Sequence, residues 1–256
     1  MAAFHLSKWY LDCVTDAGDA SIVYSGNVCW GRLNFHYSSV LESAKAGVTV
    51  RQSLRPQPQP EVNHGSIHWR SNALHIDALW QAAAVELRET ILDDERGSIQ
   101  WRCLMPRARA RFGSRSGLGY AEHLVLTIPP WKLPIETLRW GRFLSPSIWI
   151  VWIDWQGEHP QRIVYLNGTR VAVDELGDER IRFADGTLLA MDRSLTIREG
   201  PLGTTVLAAI PFIGKTFPAR LLRVTESKWR SRAHLESPNR PAVEGFAIHE
   251  RVSWPP

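Results

Sequence analysis

Hydrophobic and polar residues alternate with a period of two along much of the chain, as in "RIVYLNGTRVAV", "IRFADGTLLAM" and "SLTIREGPLGTTVLAAI". Such alternation places every second side chain on the same face of a β-strand. The turn sequences NG, DG and GPLG punctuate these segments, and short strands separated by such turns are typical of β-sandwiches and β-barrels. The pattern predicts an all-β protein built from antiparallel strands.

Two segments depart from simple alternation. Residues 81–94 (QAAAVELRETILDD) are rich in residues that favour a helix. Val85 and Leu87 nevertheless flank Glu86 as in a strand, so we expect a strand over part of this segment. Residues 55–61 (RPQPQPE) cannot form a central strand because proline lacks the backbone N–H that a sheet requires, and we expect a surface connection there.

The most informative pattern is an internal repeat. The stretch GLGYAEHLVL at 117–126 and the stretch VEGFAIHERV at 243–252 share the frame glycine, aromatic residue, alanine, any residue, histidine. A tryptophan precedes the glycine in both copies, by eighteen residues in the first and by sixteen in the second; the residues are Trp101 and Gly119, and Trp229 and Gly245. A second echo compares Asp12 to Tyr24 with Asp154 to Tyr165. Because the two echoes keep the same order, we expect a duplication in which each half closes into a small barrel without exposed edges.

The repeat suggests a division of the chain. We expect a first barrel over residues 1–130 and a second over residues 148–256. The segment between them, 131–147, is rich in proline and tryptophan and is interpreted as a connection. A simple flexible linker would not carry Trp131 and Trp140, so we expect this connection to pack against the rest of the protein.

Composition narrows the class of protein. The chain has 256 residues, of which 44% are hydrophobic and 22% are charged, so it can bury a substantial core. Twelve tryptophans suit broad apolar cavities. The apolar stretches are too short to span a bilayer, and Cys13, Cys29 and Cys103 form no CxxC pair. We expect a cytoplasmic protein without stable membrane insertion, and the net charge of +4 permits only a weak attraction to anions.

Short motifs at both ends of the first half resemble a known family. The opening KWYLDC is similar to the "EWWYFD"-like opening of the carotenoid hydratase (hydroxyneurosporene synthase) group, and GLGYAEH followed by LRWGRF resembles its later "GYxDHNWG" and tryptophan-rich segment. Leu124 stands where that group usually has asparagine. The group also includes decalin-forming Diels–Alderases, and the resemblance implies two lipocalin-like (calycin) barrels side by side.

Glu122 and His123 are the first candidates for catalysis. Neighbours on a strand point to opposite faces, so only one of them faces a given barrel interior. Burial raises the pKa of a carboxylic acid, which then donates a proton to an alkene or carbonyl, and histidine is a ready base near neutral pH. The second copy keeps His249 but has Ile248 at the glutamate position, which indicates a structural histidine and a specialised glutamate. The alternative is that one of the pair is solvent-exposed and the other is a hydrogen-bonded structural group.

Trp9, Tyr10 and Asp12 form the second group of candidates. On a strand, Tyr10 and Asp12 share one face and Trp9 lies on the other. If the Tyr10–Asp12 face is the barrel interior, an acid beside a phenol is placed to protonate a substrate double bond. Asp12 has a counterpart in Asp154, however, and a repeated aspartate favours a role in supporting a strand end or turn.

Four further residues are candidates for binding a substrate. The indole face of Trp140 would stabilise a carbocation and Arg142 would hold a carbonyl oxygen. Alternatively, Trp140 closes one barrel end and Arg142 pairs with an acid. Tyr37 and Tyr120 are candidates to line the pocket, although buried tyrosines with satisfied hydroxyl groups are common.

The sequence predicts no metal, cofactor or nucleic-acid site. His64 and His68 have ligand spacing only on a helix, which Gly65 and Ser66 argue against. The GKT of IPFIGKTF lacks the first glycine of a phosphate loop, since Ala209 occupies that position. The alternating arginines of PRARARF share one strand face, which the exterior of a barrel explains as well as phosphate contacts do.

Two functions compete on this evidence. The first is a cofactor-independent enzyme of the hydratase, lyase, isomerase or cyclase type, which acts on a hydrophobic small molecule such as a terpenoid, carotenoid or polyketide in an aromatic-lined barrel pocket. The second is a non-catalytic protein that binds or carries a lipophile. A hydrophobic small molecule is the expected partner in both cases.

Overall fold

The chain divides into two compact units, of which the first ends at Lys132 and the second begins at Leu133. The structure, a computed structural model, describes residues 4–44, 47–82, 85–210, 213–238 and 240–255. The strands of the first unit are β1 (Phe4–Val14), β2 (Ala20–Trp30), β3 (Leu33–Ala44), β4 (Gly47–Ser53), β5 (Glu61–Asn63), β6 (Ser66–Ser71), β7 (Ile76–Gln81), β8 (Leu87–Asp94), β9 (Gly97–Phe112) and β10 (Arg115–Leu126). A 3₁₀ turn follows at Pro130–Lys132.

The second unit contains ten further strands and three short helical turns. The strands are β11 (Ile135–Leu144), β12 (Trp149–Gly157), β13 (Gln161–Leu166), β14 (Thr169–Arg170), β15 (Val173–Leu176), β16 (Arg180–Phe183), β17 (Leu188–Met191), β18 (Leu195–Pro201), β19 (Thr225–Ser237) and β20 (Arg240–Ser253). The helical turns are a 3₁₀ turn at Leu202–Thr204, α1 (Ile213–Thr216) and α2 (Ala219–Leu222).

Strand order demonstrates the duplication. The first sheet has the order β4-β3-β2-β1-β10-β9-β7-β6-β5, and β8 pairs with β9. The second has the order β14-β13-β12-β11-β20-β19-β17-β16-β15, and β18 pairs with β19. Each strand of the first sheet therefore corresponds to the strand numbered ten higher in the second sheet, with the same antiparallel neighbours. The predicted all-β, duplicated fold is confirmed.

Each sheet has one face that carries a hydrophobic core, which we call the inner face; the opposite face is the outer face. In the first unit the inner face includes Leu11 on β1, Val23 on β2 and Ala121 on β10. Trp69 and Trp80 are fully buried in the same core, and each indole N–H donates to a backbone carbonyl. Because both indoles are packed and hydrogen-bonded, these tryptophans fill the core instead of lining a cavity.

The second unit has an equivalent core. It includes Phe143 on β11, Trp152 on β12 and Ala247 on β20. Phe143 lies directly opposite Ala247, as Leu11 lies directly opposite Ala121 in the first unit. This match fixes the equivalence of positions between the two sheets.

The expected connection over residues 131–147 is wrong for most of its length. Ile135–Leu144 forms β11, which lies between β12 and β20 near the middle of the second sheet. The prolines that suggested a connection flank this strand and do not interrupt it, so its backbone N–H groups remain available for the ladder. The predicted strand within residues 81–94 is confirmed, because Leu87–Asp94 forms β8.

The repeated glycine has a steric cause that is the same in both sheets. A Cβ atom at Gly119 would lie 2.4 Å from the backbone oxygen of Asp12 on the neighbouring strand, and one at Gly245 would lie 2.3 Å from that of Leu144. Real Cβ atoms do not approach a backbone oxygen so closely. Asp12 and Leu144 occupy equivalent positions, so the two glycines meet one inherited constraint.

The second echo, by contrast, joins strands that are not equivalent. Asp12 lies in β1, whereas Asp154 lies in β12, the counterpart of β2. Their likeness in sequence therefore does not reflect a shared position. The interpretation of Asp154 as the counterpart of Asp12 is wrong, and it no longer argues for a structural role of Asp12.

The two tryptophans of the repeat also differ in position. Two register shifts interrupt the β9–β10 pairing, between Gly119 and Ala121 and between Ala121 and Glu122, and each adds one residue to β9. The β19–β20 pairing has no shift in the corresponding part. The two added residues account for the longer spacing in the first copy. As a result Trp101 of the first sheet is equivalent in position to Lys228 of the second sheet, and not to Trp229.

We expect Gly119→Ala and Gly245→Ala each to destabilise the protein by about 1–3 kcal/mol, because the added methyl group forces neighbouring backbone apart. Urea unfolding measures the effect. Gly26→Ala is the matched control, since its Cβ would have only an ordinary contact of 3.7 Å with the Tyr37 oxygen. Equal stability of the Gly119→Ala and Gly26→Ala proteins would contradict this account.

Candidate functional site

The alternation of β1 and β10 separates the sequence-predicted residues into two groups. Tyr10 lies directly opposite Glu122, and Asp12 lies directly opposite Tyr120. All four side chains are on the outer face, and all four are buried. We call them the acid–phenol cluster. His123 and Trp9 lie on the inner face instead, so the alternation separates them from the acid–phenol cluster.

The acid–phenol cluster contains two hydrogen-bonded acid–phenol pairs. The hydroxyl of Tyr10 donates to Oδ2 of Asp12 at 2.9 Å. The hydroxyl of Tyr120 donates to Oε2 of Glu122 at 2.6 Å. On adjacent strands these pairs form a checkerboard in which each acid faces the phenol of the other pair.

Glu122 accepts a second hydrogen bond on the same oxygen. The indole Nε1–H of Trp101 donates to Oε2 at 2.6 Å. Glu122 is only 7% exposed, and Trp101 is buried as well. Two donors on one oxygen of a buried carboxyl group stabilise its negative charge and fix its orientation.

Trp101 was not among the predicted site residues. It reaches Glu122 because the two β9 bulges change the register between its strand and β10, an effect for which bulges near functional sites are known. Pro106 lies in β9 within the first shift, between Met105 and Ala108, where a missing backbone N–H is tolerated. The only signal in the sequence was the difference in spacing between the two copies.

Burial keeps the neighbours of Glu122 in their neutral forms. The pKa of Tyr120 is raised well above its ordinary value, first by burial and then by the nearby Cys103 and Glu122. The pKa of Cys103 is also raised well above its ordinary value, mainly by burial. Tyr120 therefore remains a hydrogen-bond donor at neutral pH.

The second sheet lacks this chemistry at the equivalent positions. Arg142 lies directly opposite Ile248, and Leu144 lies directly opposite Phe246. These four residues stand where the first sheet has Tyr10, Glu122, Asp12 and Tyr120, respectively. Neither carboxyl group and neither phenol has a counterpart, so the two copies have diverged at the candidate site.

Trp140 and Arg142 belong to the outer face of the second sheet. Both are buried, and Nη1 of Arg142 donates to the backbone oxygen of Phe246 at 2.8 Å. The ammonium of Lys228 lies 5.4 Å from the ring centroid of Trp140. Lys228 also forms ion pairs with Glu226 and Glu250. A substrate-binding role for Trp140 and Arg142 stays a prediction.

Asp154 supports the second unit through ion pairs on its inner face. Its carboxylate contacts Arg162 at 3.2 Å and Arg139 at 3.6 Å, and it accepts a hydrogen bond from Gln156 at 2.8 Å. Arg139 also pairs with Asp178. These contacts satisfy a carboxylate that is 1% exposed, so its role is structural.

His123 lies on the inner face, beyond the apolar core. Its Nε2 is 2.8 Å from the hydroxyl oxygen of Ser7, and its ring centroid is 4.5 Å from that of Trp9. Its pKa is lowered by partial burial and, to a smaller degree, by the charges of Arg102 and His5. A neutral imidazole is therefore favoured near pH 7. Because it lies on the opposite face from Glu122, the two residues cannot act on the same atom.

The equivalent histidine of the second unit is more deeply buried. Nε2 of His249 is 2.8 Å from the hydroxyl oxygen of Ser231, and its ring lies near those of Trp152 and Trp229. Burial, the largest effect, lowers the pKa of His249 to about 4. Both histidines thus bond to a serine within a packed inner face, which agrees with the expectation of a structural histidine.

Beyond the acid–phenol cluster, the outer face of the first sheet is lined with apolar side chains. Phe4 and Trp30 contact Trp131, with ring centroids 5.7 Å and 4.8 Å apart. We call the apolar residues at this end the aromatic strip: Phe4, Leu6, Val28, Trp30, Phe35 and Trp131. All except Phe4 are partly exposed. The strip and the acid–phenol cluster lie on the same face, so the sheet presents acids beside an accessible apolar surface.

Tyr37 and Gly26 lie between the strip and the cluster. Tyr37 is partly exposed on the outer face, and its hydroxyl accepts a hydrogen bond from Gln52 at 3.2 Å. Gly26 is its cross-strand partner and is in turn paired with Lys8. A Cβ atom at Gly26 would have only an ordinary contact, of 3.7 Å with the backbone oxygen of Tyr37.

Within the ranges that the structure describes, no three histidine, cysteine, aspartate or glutamate side chains gather in a metal-binding arrangement. His68 instead contacts Asp77 at 3.1 Å. None of the helices in the described part of the chain is long and apolar enough to cross a bilayer.

The fold is that of a known class, the duplicated lipocalin-like proteins. CghA, in a crystal structure with Sch210972, is similar with a TM-score of 0.58 at 12% identity, over 97% of this chain and 88% of that one. Kievitone hydratase from Nectria haematococca gives 0.55 at 11% identity, over 98% and 89%. An AttH-like protein from Nitrosomonas europaea gives 0.55 at 8% identity, over 96% and 92%.

No family model and no curated protein matches this sequence. At these low identities the structural likeness establishes the fold, and the expected duplicated lipocalin-like architecture is confirmed. What the chain does must be argued from its own residues.

We expect Trp101→Phe and Tyr120→Phe each to lower the free energy of unfolding by about 1.5–3 kcal/mol, because each removes a donor from a buried carboxyl group. Urea unfolding at pH 7 measures both. Trp155→Phe is the control for lost ring volume, since Trp155 is buried similarly and its indole makes no hydrogen bond to the residues described. If Trp101→Phe cost no more than Trp155→Phe, the bond to Glu122 would not contribute to stability.

The lowered pKa of His249 predicts a pH-dependent stability. Between its ordinary pKa of 6.5 and about 4, the unfolded chain binds a proton that the folded protein excludes. The contribution of neutral His249 to the free energy of unfolding is therefore fully present above pH 6.5. It decreases as the pH falls, by about 2 kcal/mol between pH 7.5 and pH 5. Urea unfolding of the wild type and His249→Gln at both pH values isolates this contribution. The same pH dependence in both proteins would refute the assignment.

Proposed function

We propose that the protein is a cofactor-independent enzyme that acts on a hydrophobic small molecule by acid–base chemistry. The observation that carries this proposal is a buried glutamate, Glu122, held by two donors on the same face as a partly exposed aromatic strip. An apolar surface with a few oriented polar groups is the usual form of a small-molecule site.

Glu122 is the proposed acid–base residue. As a carboxylic acid it gives a proton to one carbon of an alkene, or to a carbonyl oxygen, and as a carboxylate it removes a proton from the adjacent carbon. Tyr120 and Trp101 stabilise the carboxylate that forms when the first proton is given up, and their hydrogen bonds hold it in place for the removal of the second proton. This cycle returns Glu122 to its starting state, as an isomerisation requires.

Asp12 and Tyr10 supply a second acid–phenol pair beside the first. For a hydration, Asp12 would accept a proton from water as the oxygen of that water bonds to the cationic carbon. Glu122 would first deliver its own proton to the double bond, and the proton that Asp12 takes from water would then return to Glu122, directly or through solvent, so that the complete cycle adds one water to the double bond. Two carboxyl groups on one face therefore fit hydration as well as isomerisation or cyclisation.

Two of the structural neighbours support a catalytic role. Kievitone hydratase is a hydratase, and CghA is a Diels–Alderase, so this fold family includes enzymes that act on small molecules. Mass spectrometry of co-purifying ligands, followed by turnover assays, identifies the substrate and the reaction of this chain.

A non-catalytic lipophile carrier is the second candidate. It is favoured by the internal hydrogen bonds of the acid–phenol cluster, since both acids bond to phenols of the protein itself. A network satisfied in this way also serves to fix the structure of a buried polar face. The carrier would bind lipophiles on the aromatic strip without converting them.

Glu122→Gln tests the enzyme against the carrier, because it retains the shape of the side chain and removes its acid–base capacity. Ligands that co-purify with the protein are identified by mass spectrometry and then offered to the wild type and the variant. We expect product formation by the wild type and a loss of about 10²–10⁴-fold in the variant.

Glu244→Gln serves as the control, because the substitution makes the same chemical change away from the site. The side chain of Glu244 is 81% exposed. Unchanged turnover in Glu122→Gln would remove Glu122 from the mechanism. Bound lipophile without conversion by any of the proteins would favour the carrier.

A further inference from the structure

Lys8 is a cation on the outer face of the first sheet that no carboxylate neutralises. It lies two residues before Tyr10 on β1 and is partly buried. Its ammonium lies 5.3 Å from the ring centroid of Tyr24, a cation–π contact. Among the residues that the structure describes, it forms no ion pair and no hydrogen bond.

The nearby acids are committed elsewhere. Asp12 and Glu122 share the outer face with Lys8, but each accepts a hydrogen bond from the phenol of its own pair, Tyr10 and Tyr120 respectively. Lys8 instead faces Leu124 on one neighbouring strand and the side-chain-free Gly26 on the other. A Cβ at Gly26 would meet only the backbone oxygen of Tyr37, at 3.7 Å, so there is room for a further atom at Gly26.

The position of Lys8 relates it to both parts of the site. It lies between the acid–phenol cluster and the aromatic strip, whose far end on β1 is Phe4. Lys8 is four positions after Phe4, which corresponds to about 13 Å along a strand. Over that length the outer face is apolar and partly exposed, and it ends at a positive charge.

We infer that Lys8 binds an acidic oxygen of the substrate, and that the substrate is therefore an amphipathic lipophile with an anionic group and an apolar body about 13 Å long. A carboxylate, an enolate or a phenolate has the required oxygen. The apolar body lies on the aromatic strip, and the end of the ligand that carries the anionic oxygen is the end nearest Glu122. This inference rests on the proposed function, since it names the substrate class of the same site.

Matched ligands of one chain length test the inference. Decanoate and 1-decanol both carry ten carbons and differ in charge. Their affinities are measured by displacement of the fluorescent probe N-phenyl-1-naphthylamine. We expect the wild type to bind decanoate about tenfold more tightly than decanol, a preference that decreases as salt screens the charge.

Lys8→Met should remove the preference for decanoate while leaving the affinity for decanol unchanged, and Lys8→Arg should retain it. Lys215→Met is the control, because Lys215 is an exposed lysine of the second unit. Circular dichroism of each variant verifies the fold, and Lys8→Gln replaces Lys8→Met if the latter does not fold.

An undiminished preference for decanoate in Lys8→Met would overturn the inference, as would a wild type that binds neither the probe nor either ligand. Failure of the proposed function looks different. In that case decanoate binds through Lys8, but Glu122→Gln converts the co-purifying ligand as fast as the wild type does.

Discussion

Two hydrogen bonds that meet on one carboxylate oxygen organise the candidate site. Tyr120 and Trp101 both donate to Oε2 of Glu122, from the same strand and from the neighbouring strand, respectively. The two donors and the carboxyl group are all buried. Leaving any one of these three groups without its hydrogen-bond partner would therefore cost about 1–3 kcal/mol. The bulges of β9 are needed because a regular ladder would place Trp101 elsewhere. Strand register, aromatic packing and the orientation of the acid are therefore coupled.

The same alternation explains how a duplicated protein can specialise in one half. Inner positions of both sheets are constrained by packing, and there the copies remain alike, with Ala121 and Ala247 and with His123 and His249. Outer positions lie outside these two cores. There the first sheet has acids and phenols, whereas the second has Arg142 and Ile248 at the places of Tyr10 and Glu122. The two copies therefore differ in chemistry at equivalent positions of the outer face.

The sequence predicts the fold better than the site. Period-two alternation and the GYAEH and GFAIH frames are enough for an all-β duplication, since both follow from sheet geometry and from the steric constraint at Gly119 and Gly245. The similarity between the stretches that begin at Asp12 and Asp154 led to a wrong assignment of equivalent positions. A short similarity between two strands carries no information on their register. The segment 131–147 misled as well, because flanking prolines do not reveal the strand between them.

The site was only partly accessible from sequence for a related reason. Alternation correctly groups Tyr10 with Asp12 and separates Glu122 from His123, but it does not say which face is the core. Trp101 and Lys8 were missed because one depends on two bulges and the other on the absence of a nearby carboxylate. Both are properties of the folded sheet.

The central claim is that a lipophile binds on the outer face of the first sheet with its reactive carbon at Glu122. A crystal structure of the protein with its co-purifying lipophile tests this most directly. The account predicts the apolar body against Trp30 and Phe35, with a ligand atom in contact with the Glu122 carboxyl group. A ligand enclosed by the inner face beside His123, or bound entirely within the second unit, would contradict it.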